Sequence, residues 1–248
     1  MLEGKLRIVC PSMSRPNDVK ADAAVDLDYI CVPESQRDAY AALGYRADIL
    51  THPDSVKGLS PKRQWICDQL GDVCMVDDDV QYFTRLYTAR ESALTASQAR
   101  EMLFHIHACA EDVGAFLFSP SIKTNPTYRH PMDPFRVSGR ITGGCFGLRA
   151  GSKLRFIPET VAVEDFYISG LNAYYHRFLW MDMRFGFKQC DTFTGTGGQA
   201  HYRTAETEKA DTALLKRLFG DCVKTGKHKP NQTLHSKSAA PREIVFPF

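Results

Sequence analysis

Three consecutive aspartates, Asp77, Asp78 and Asp79, close the apolar run Val73-Cys74-Met75-Val76. Such a run reads as a buried strand, and carboxylates at a strand's C-terminal end stand where open α/β sheets bind ligands. Adjacent carboxylates repel unless a cation sits among them. Hard oxygen donors suit Mg2+ or Mn2+, ions that share their coordination shell with phosphate oxygens. The local reading is a metal-diphosphate site; read alone, the triplet is more often a solvated acidic turn. If the strand continues through it, Asp77 and Asp79 share one side and Asp78 points to the other. Asp79, furthest past the strand, is the candidate metal ligand. Asp77 is a candidate acceptor of hydrogen bonds from a ribose or base.

Three other stretches carry residue types suited to the same chemistry. Gly58-Leu59-Ser60-Pro61-Lys62-Arg63-Gln64-Trp65 looks like a helix start, with Ser60 as cap and Pro61 in the first turn. A helix N-terminus favours anions, so Lys62 and Arg63 there point to an anionic partner or to an exposed basic turn. Glu164-Asp165 heads another predicted helix. It suits either the helix dipole or a general base that takes a proton from an acceptor hydroxyl. The third stretch runs from Thr194 to Arg203 and contains Gly195, Gly197, Gly198 and His201. Glycines there allow a mobile loop, His201 could ligate a metal, and Arg203 could neutralise phosphate. A lone histidine after a loop also serves as surface or core filling.

Alternating elements must position these groups. Residues 5–10, 27–32, 46–50 and 73–76 read as strands. Helices are expected over 34–43, stopping at Gly44, and over 60–70. Alternation of this kind argues for a parallel sheet covered by helices. A long helix is expected from Thr95 to about residue 113, with Ala99, Met102, Leu103, Ile106 and Ala110 at helical spacing. Then come a strand at 115–118, a loop over 119–136 and a strand at 141–148 carrying Gly143-Gly144. A helix over 166–178, a strand over 179–187 and an amphipathic helix over 207–223 complete the pattern.

The chain of 248 residues suits one large α/β domain. We expect it over residues 1–223, with a basic tail over 224–248 that packs on it or extends from it. The eight cysteines form no CxxC pair, which argues against a zinc or redox motif and for reduced thiols in a cytoplasm. The first residues are too short and charged a stretch for a secretory signal, and no apolar run approaches membrane-spanning length. A net charge of +2 does not by itself demand a nucleic-acid partner. The excess of Lys and Arg after residue 213 could attract a polyanion such as DNA, or be a solvated terminus.

In this order, the motifs resemble those of metal-dependent glycosyltransferases of the GT-A fold. Gly58 to Arg63 resembles that class's Gly-x-x-x-x-Arg helix start. Asp77-Asp78-Asp79 resembles its Asp-x-Asp metal motif, Glu164-Asp165 its Glu-Asp base motif, and His201 its late metal-binding histidine. The Gln-x-x-Arg-Trp pattern of processive members is not evident after Asp165, which favours transfer of a single sugar. The compact chain, the Lys-Arg-Gln-Trp helix and the basic C-terminal segment are similar to phage-type glycosyltransferases that modify hydroxymethylpyrimidines in DNA, the base-J group included.

The resemblance implies a Rossmann-like mixed, mostly parallel sheet flanked by helices in a single domain. It implies a nucleotide-sugar donor, a UDP-sugar being commonest, and Mn2+ or Mg2+ held by Asp79 and His201. Pro11, Ser12, Ser14, Arg15, Asp77 and Asp78 would line the nucleotide site. Arg63 would contact nucleotide or phosphate, and Gly143 and Gly144 would admit the sugar or acceptor. Asp165 would be the catalytic base of an inverting transfer. DNA would be the acceptor, no membrane is involved, and the setting is a phage-infected host cytoplasm. Two alternatives share much of this site. One is transfer to a saccharide, lipid or protein; the other is a metal-dependent nucleotidyltransferase that releases pyrophosphate.

Overall fold

The computed structural model describes residues 6–88, 92–121, 133–190, 202, 204–225 and 242–244. Four parallel strands form one half of the sheet: β1 (Arg7–Pro11), β2 (Tyr29–Pro33), β3 (Asp48–His52) and β4 (Val73–Val76). The second half holds β5 (Val80–Arg85), β6 (Ser92–Ala93), β7 (Leu117–Ser121), β8 (Phe135–Arg136), β9 (Cys145–Leu148) and β10 (Trp180–Gln189). The strand order is β3-β2-β1-β4-β9-β7-β10-β5-β6, with β8 beside β10. β9 runs antiparallel to both β4 and β7, while β7 and β10 are parallel. The sheet is therefore mixed, most of its strands run one way, and this is the α/β class expected.

Helices cover both faces. They are α1 (Ala21–Ala24), α2 (Arg37–Ala41), α3 (Leu59–Leu70), α4 (Ala96–Asp112), α5 (Glu164–Tyr175) and α6 (Ala205–Phe219). Alternate residues of each central strand enter opposite cores. Ile8, Cys10, Cys74 and Val76 join Met102, Leu103 and Ile106 of α4 on one face. Val9, Val73 and Met75 join Ile66, Ile168 and Leu215, from α3, α5 and α6, on the other. Both faces of β4 are thus dry, which explains its unbroken apolar run. α4 starts as its sequence dictates: the Thr95 side chain accepts from the Gln98 amide, and the Gln98 side chain returns the bond.

Several details differ from expectation. α3 is capped by Gly58 at φ +91°, a conformation that favours glycine, whereas Ser60 donates its hydroxyl to the Thr160 carbonyl. The sheet does not run straight through the aspartates. They form the turn between β4 and β5, closed by the Val80 amide on the Asp77 carbonyl at 3.1 Å. Period-two alternation therefore does not apply to them. Gly143 and Gly144 precede β9 rather than lying within it. Beyond α6, β11 (Val223–Thr225) and β12 (Arg242–Ile244) pair as an antiparallel ribbon. The rest of the tail, the 191–201 stretch and Arg203 lie outside the described residues. The eight cysteines are free thiols. No helix among the described residues is long and apolar enough to cross a membrane.

Candidate active site

Strand directions gather the site at one edge of the sheet. The C-terminal ends of β1, β4 and β10 meet there with the starts of β5 and β9. The three aspartates, crowded into one turn, turn to three different partners.

Asp78 belongs to the β1 side. Its Oδ2 accepts from Ser12 Oγ at 2.7 Å, and Arg15 Nη1 lies 3.3 Å from its Oδ1. Tyr40, reaching in from α2, bonds Ser12 Oγ at 2.9 Å through its hydroxyl and accepts from the Arg15 amide at 3.1 Å. The turn after Pro11 is further pinned at Ser14, whose φ of +58° is unusual for a residue with a side chain. Gln36 holds it there, accepting from the Ser14 amide at 2.8 Å and donating to its hydroxyl at 3.1 Å. Burial raises the Asp78 carboxyl above its usual range, against the opposing pull of Ser12 and Arg15.

Asp77 belongs to α3. Arg63 Nη2 donates to Asp77 Oδ1 at 2.8 Å and to the Gly143 carbonyl at 3.0 Å, and stands 3.5 Å from Glu164 Oε1. The guanidinium has no exposed surface and lies 4.8 Å from the Phe146 ring centroid. A Cβ at Gly143 would come within 3.1 Å of Glu164 Oε1, so glycine there lets the charges close up. Burial raises the Asp77 carboxyl well above its usual range; Arg63 opposes this, and Asp79, Asp78 and Glu164 add to it. The neighbouring Lys62 is also buried, and its Nζ donates to the Ser12 carbonyl. Burial lowers the Lys62 ammonium to about 8. The basic turn expected to greet an anion therefore faces inward. It ties together the β1 tip, the β4 tip, the Gly143 backbone and the start of α5. The expected contact of Arg63 with nucleotide or phosphate meets a fully enclosed guanidinium.

Asp79 differs from both. Its Oδ1 accepts from Gln189 Nε2 at 3.0 Å, and among the described residues no cationic side chain forms an ion pair with it. Burial raises its carboxyl above the usual range and Asp78 adds to this, while the Gln189 bond and the charge of Arg15 oppose it. A buried hard-oxygen donor held by a neutral amide fits a divalent cation. Asp79 would hold it together with His201, which lies outside the described residues. Among the described residues no group of three His, Cys, Asp or Glu side chains forms a ligand set by itself.

Asp165 follows Glu164 on the first turn of α5. Its Oδ2 lies 3.5 Å from Arg140 Nη1, and its Oδ1 accepts from the Phe166 amide at 2.8 Å. Arg140 is itself seated over Phe166, 4.5 Å from the ring centroid. Glu164 faces the buried Arg63, whereas the Asp165 side chain keeps 16% of its surface exposed. Of this acidic pair, Asp165 is the more exposed.

The structure thus brings Pro11, Ser12, Ser14, Arg15, Arg63, Asp77, Asp78, Asp79, Gly143 and Gly144 to one edge, with Asp165 next to the residue that touches Arg63. Sequence reasoning did not find Tyr40, Gln36 or Gln189. Each is an ordinary helix or strand residue in sequence, and only tertiary pairing puts it at the site.

The chain matches the family described as TET-Associated Glycosyltransferase over residues 7–198. No curated protein matches it. Among solved structures it is similar to a mycobacterial protein, with 11% identity, TM-score 0.51, 98% of this chain and 85% of that chain covered. It is also similar to glucosyl-3-phosphoglycerate synthase from Mycobacterium tuberculosis in complex with Mn2+, UDP-glucose and phosphoglyceric acid. There the identity is 13% and the TM-score 0.49, over 98% of this chain and 88% of that one. TarS 1–349 of S. aureus shows 12% identity and a TM-score of 0.46, over 88% of this chain and 72% of that one. The family match spans the strand tips, all three aspartates and the Glu164-Asp165 helix start, so this chain is a member of the TET-associated glycosyltransferase family.

Proposed function

We propose that this chain transfers a sugar from a nucleotide-diphosphate sugar, a UDP-sugar, to the hydroxyl of a 5-hydroxymethylpyrimidine in DNA, with inversion at the anomeric carbon. The observation that carries the donor site is Asp79, a buried carboxylate at the β4 tip with no cationic side chain bonded to it among the described residues. The neighbouring Ser12, Arg15 and Asp78 form a polar wall for the nucleotide. A bound Mn2+ or Mg2+ supplies Lewis-acid stabilisation of the diphosphate leaving group.

Asp165 takes the proton of the acceptor hydroxyl. The oxygen then forms its bond to the anomeric carbon as the bond to the nucleoside diphosphate breaks. A general base at this step contributes about 100- to 10,000-fold. The TET association in the family's description supports DNA modification. The excess of Lys and Arg over Asp and Glu after residue 213 supports a polyanionic partner.

The test is mass spectrometry of unmodified and hydroxymethylated DNA incubated with a nucleotide-sugar panel and Mn2+. A hexose-sized mass gain confined to hydroxymethylated DNA is expected. Transfer only to a saccharide, lipid or protein panel would replace the acceptor, and release of pyrophosphate in place of a nucleoside diphosphate would replace the reaction.

A further inference from the structure

We propose that Gln189 is a positioning residue that holds the Asp79 carboxylate in its working orientation, and that position 144 is glycine to seat the Gln189 amide. The inference rests on the reading of Asp79 as a metal donor.

Three independent features of the fold converge on this pair. The first is the register of β10 on β5. Lys188 stands opposite Tyr82, but Gln189 stands opposite Val80, so Gln81 is skipped. An irregularity of this kind at a strand's end re-aims a side chain. Here it occurs at the residue that bonds Asp79.

The second is the space at position 144. A Cβ built there would lie 2.3 Å from Gln189 Oε1, 2.4 Å from its Cδ and 2.6 Å from Phe187 Cε2. No side chain fits without expelling the amide. Gly143 next to it would meet nothing closer than 3.1 Å, so the demand is far sharper at Gly144.

The third is the backbone around the pair. The Asp77 amide donates to the Gly144 carbonyl at 2.9 Å, and the Cys190 amide donates to the Asp79 carbonyl at 3.1 Å. The acidic turn, the segment before β9 and the end of β10 are thereby stitched together on both sides of the Gln189–Asp79 bond. The bond from the amide to Oδ1 sets the plane of the Asp79 carboxylate. A partner of this kind fixes the rotamer of a ligating carboxylate, and its loss costs about 10- to 100-fold in metal affinity.

The experiment measures free Mn2+ by electron paramagnetic resonance during titration of the full chain in the presence of UDP. Gln189→Met keeps the length and removes the donor. It is expected to weaken Mn2+ binding by about 10- to 100-fold, with the fold retained by circular dichroism and the loss of turnover recovered as Mn2+ is raised. Gln189→Ala, which adds no bulk, carries the same expectation should the methionine not pack. Asp79→Asn separates the two claims. If Asp79→Asn abolishes Mn2+ binding while the Gln189 variants bind as the parent does, the positioning role is overturned and the donor-site reading stands. If Asp79→Asn binds Mn2+ as the parent does, both are overturned.

Discussion

Arg63 Nη2 lies 2.8 Å from Asp77 Oδ1, and the guanidinium that carries it has no contact with solvent. A buried guanidinium is stabilised only by the charges and carbonyls around it, here Asp77, Glu164 and the Gly143 backbone. Removing one member of such a group leaves the others buried and uncompensated, at a cost of about 3–5 kcal/mol. Arg63→Met should therefore lower stability by that order in denaturant titrations. Arg63→Lys should recover part of it, because Nη2 alone meets Asp77, the Gly143 carbonyl and Glu164, and an ammonium on a shorter stem reaches that point incompletely. The double variant Arg63→Met with Glu164→Gln should be more stable than Arg63→Met alone. Additive losses in that pair would show that Glu164 and Arg63 are not coupled.

Asp79 should cost the metal-free protein stability. Its carboxyl is raised in the folded state, so the native chain binds more protons than the unfolded chain just above the usual carboxylate range. The group's contribution to stability then falls as pH rises through that window, and at neutral pH the ionised form is a net cost. Asp79→Asn keeps the shape and removes the charge. We expect a gain of about 1 kcal/mol, or roughly 2–4 °C in Tm for a chain of this size, measured without metal at pH 7. Mn2+ with UDP should raise the Tm of the parent and not that of Asp79→Asn. A parent that melts above the metal-free variant would show that the Asp79 charge is already compensated.

Asp165→Asn should separate chemistry from binding. The asparagine keeps the side-chain length but cannot accept the acceptor's proton. Transfer should fall by about 100- to 10,000-fold, while UDP-sugar affinity by calorimetry stays near that of the parent. A collapse of donor affinity with intact folding would move Asp165 into the donor site and out of the base role.

Lys62 should leave a signature in stability against pH. Its folded-state pKa is lowered from 10.5 to about 8 by burial. Between those values the unfolded chain binds the proton and the folded chain has released it, so this group's contribution makes stability rise with pH from about 8 to 10.5. In the parent, that rise is superimposed on the opposite trend from buried thiols such as Cys31, raised to about 12. Subtracting the pH profile of Lys62→Met from the parent's isolates it, with an expected span of about 3 kcal/mol. A flat difference would mean that Lys62 keeps its ordinary affinity for protons.

The frame of the site was legible where local signals decide the structure. Val73 to Val76 is strand from end to end because a doubly buried strand needs an unbroken apolar run. Thr95 and Gln98 announce α4 because the capping box is satisfied within four residues. The reading missed what depends on partners distant in sequence. Lys62 and Arg63 look like a solvent-facing basic turn, and only the docking of α3 beneath β1 and β4 turns them inward. β5 was hidden because a charged triplet opens it and its residues alternate only loosely in burial. Gln189 could not be found at all: its role depends on a skipped residue in the partner strand and on a glycine 45 positions earlier.

A crystal of the chain with Mn2+ and a UDP-sugar tests the central claim most directly, with the anomalous signal of manganese as the readout. The account predicts a manganese peak within coordination distance of an Asp79 carboxylate oxygen, with His201 in the same shell and the uridine against Ser12, Arg15 and Asp78. A peak bound elsewhere, with Asp79 and His201 pointing into separate pockets, would contradict it.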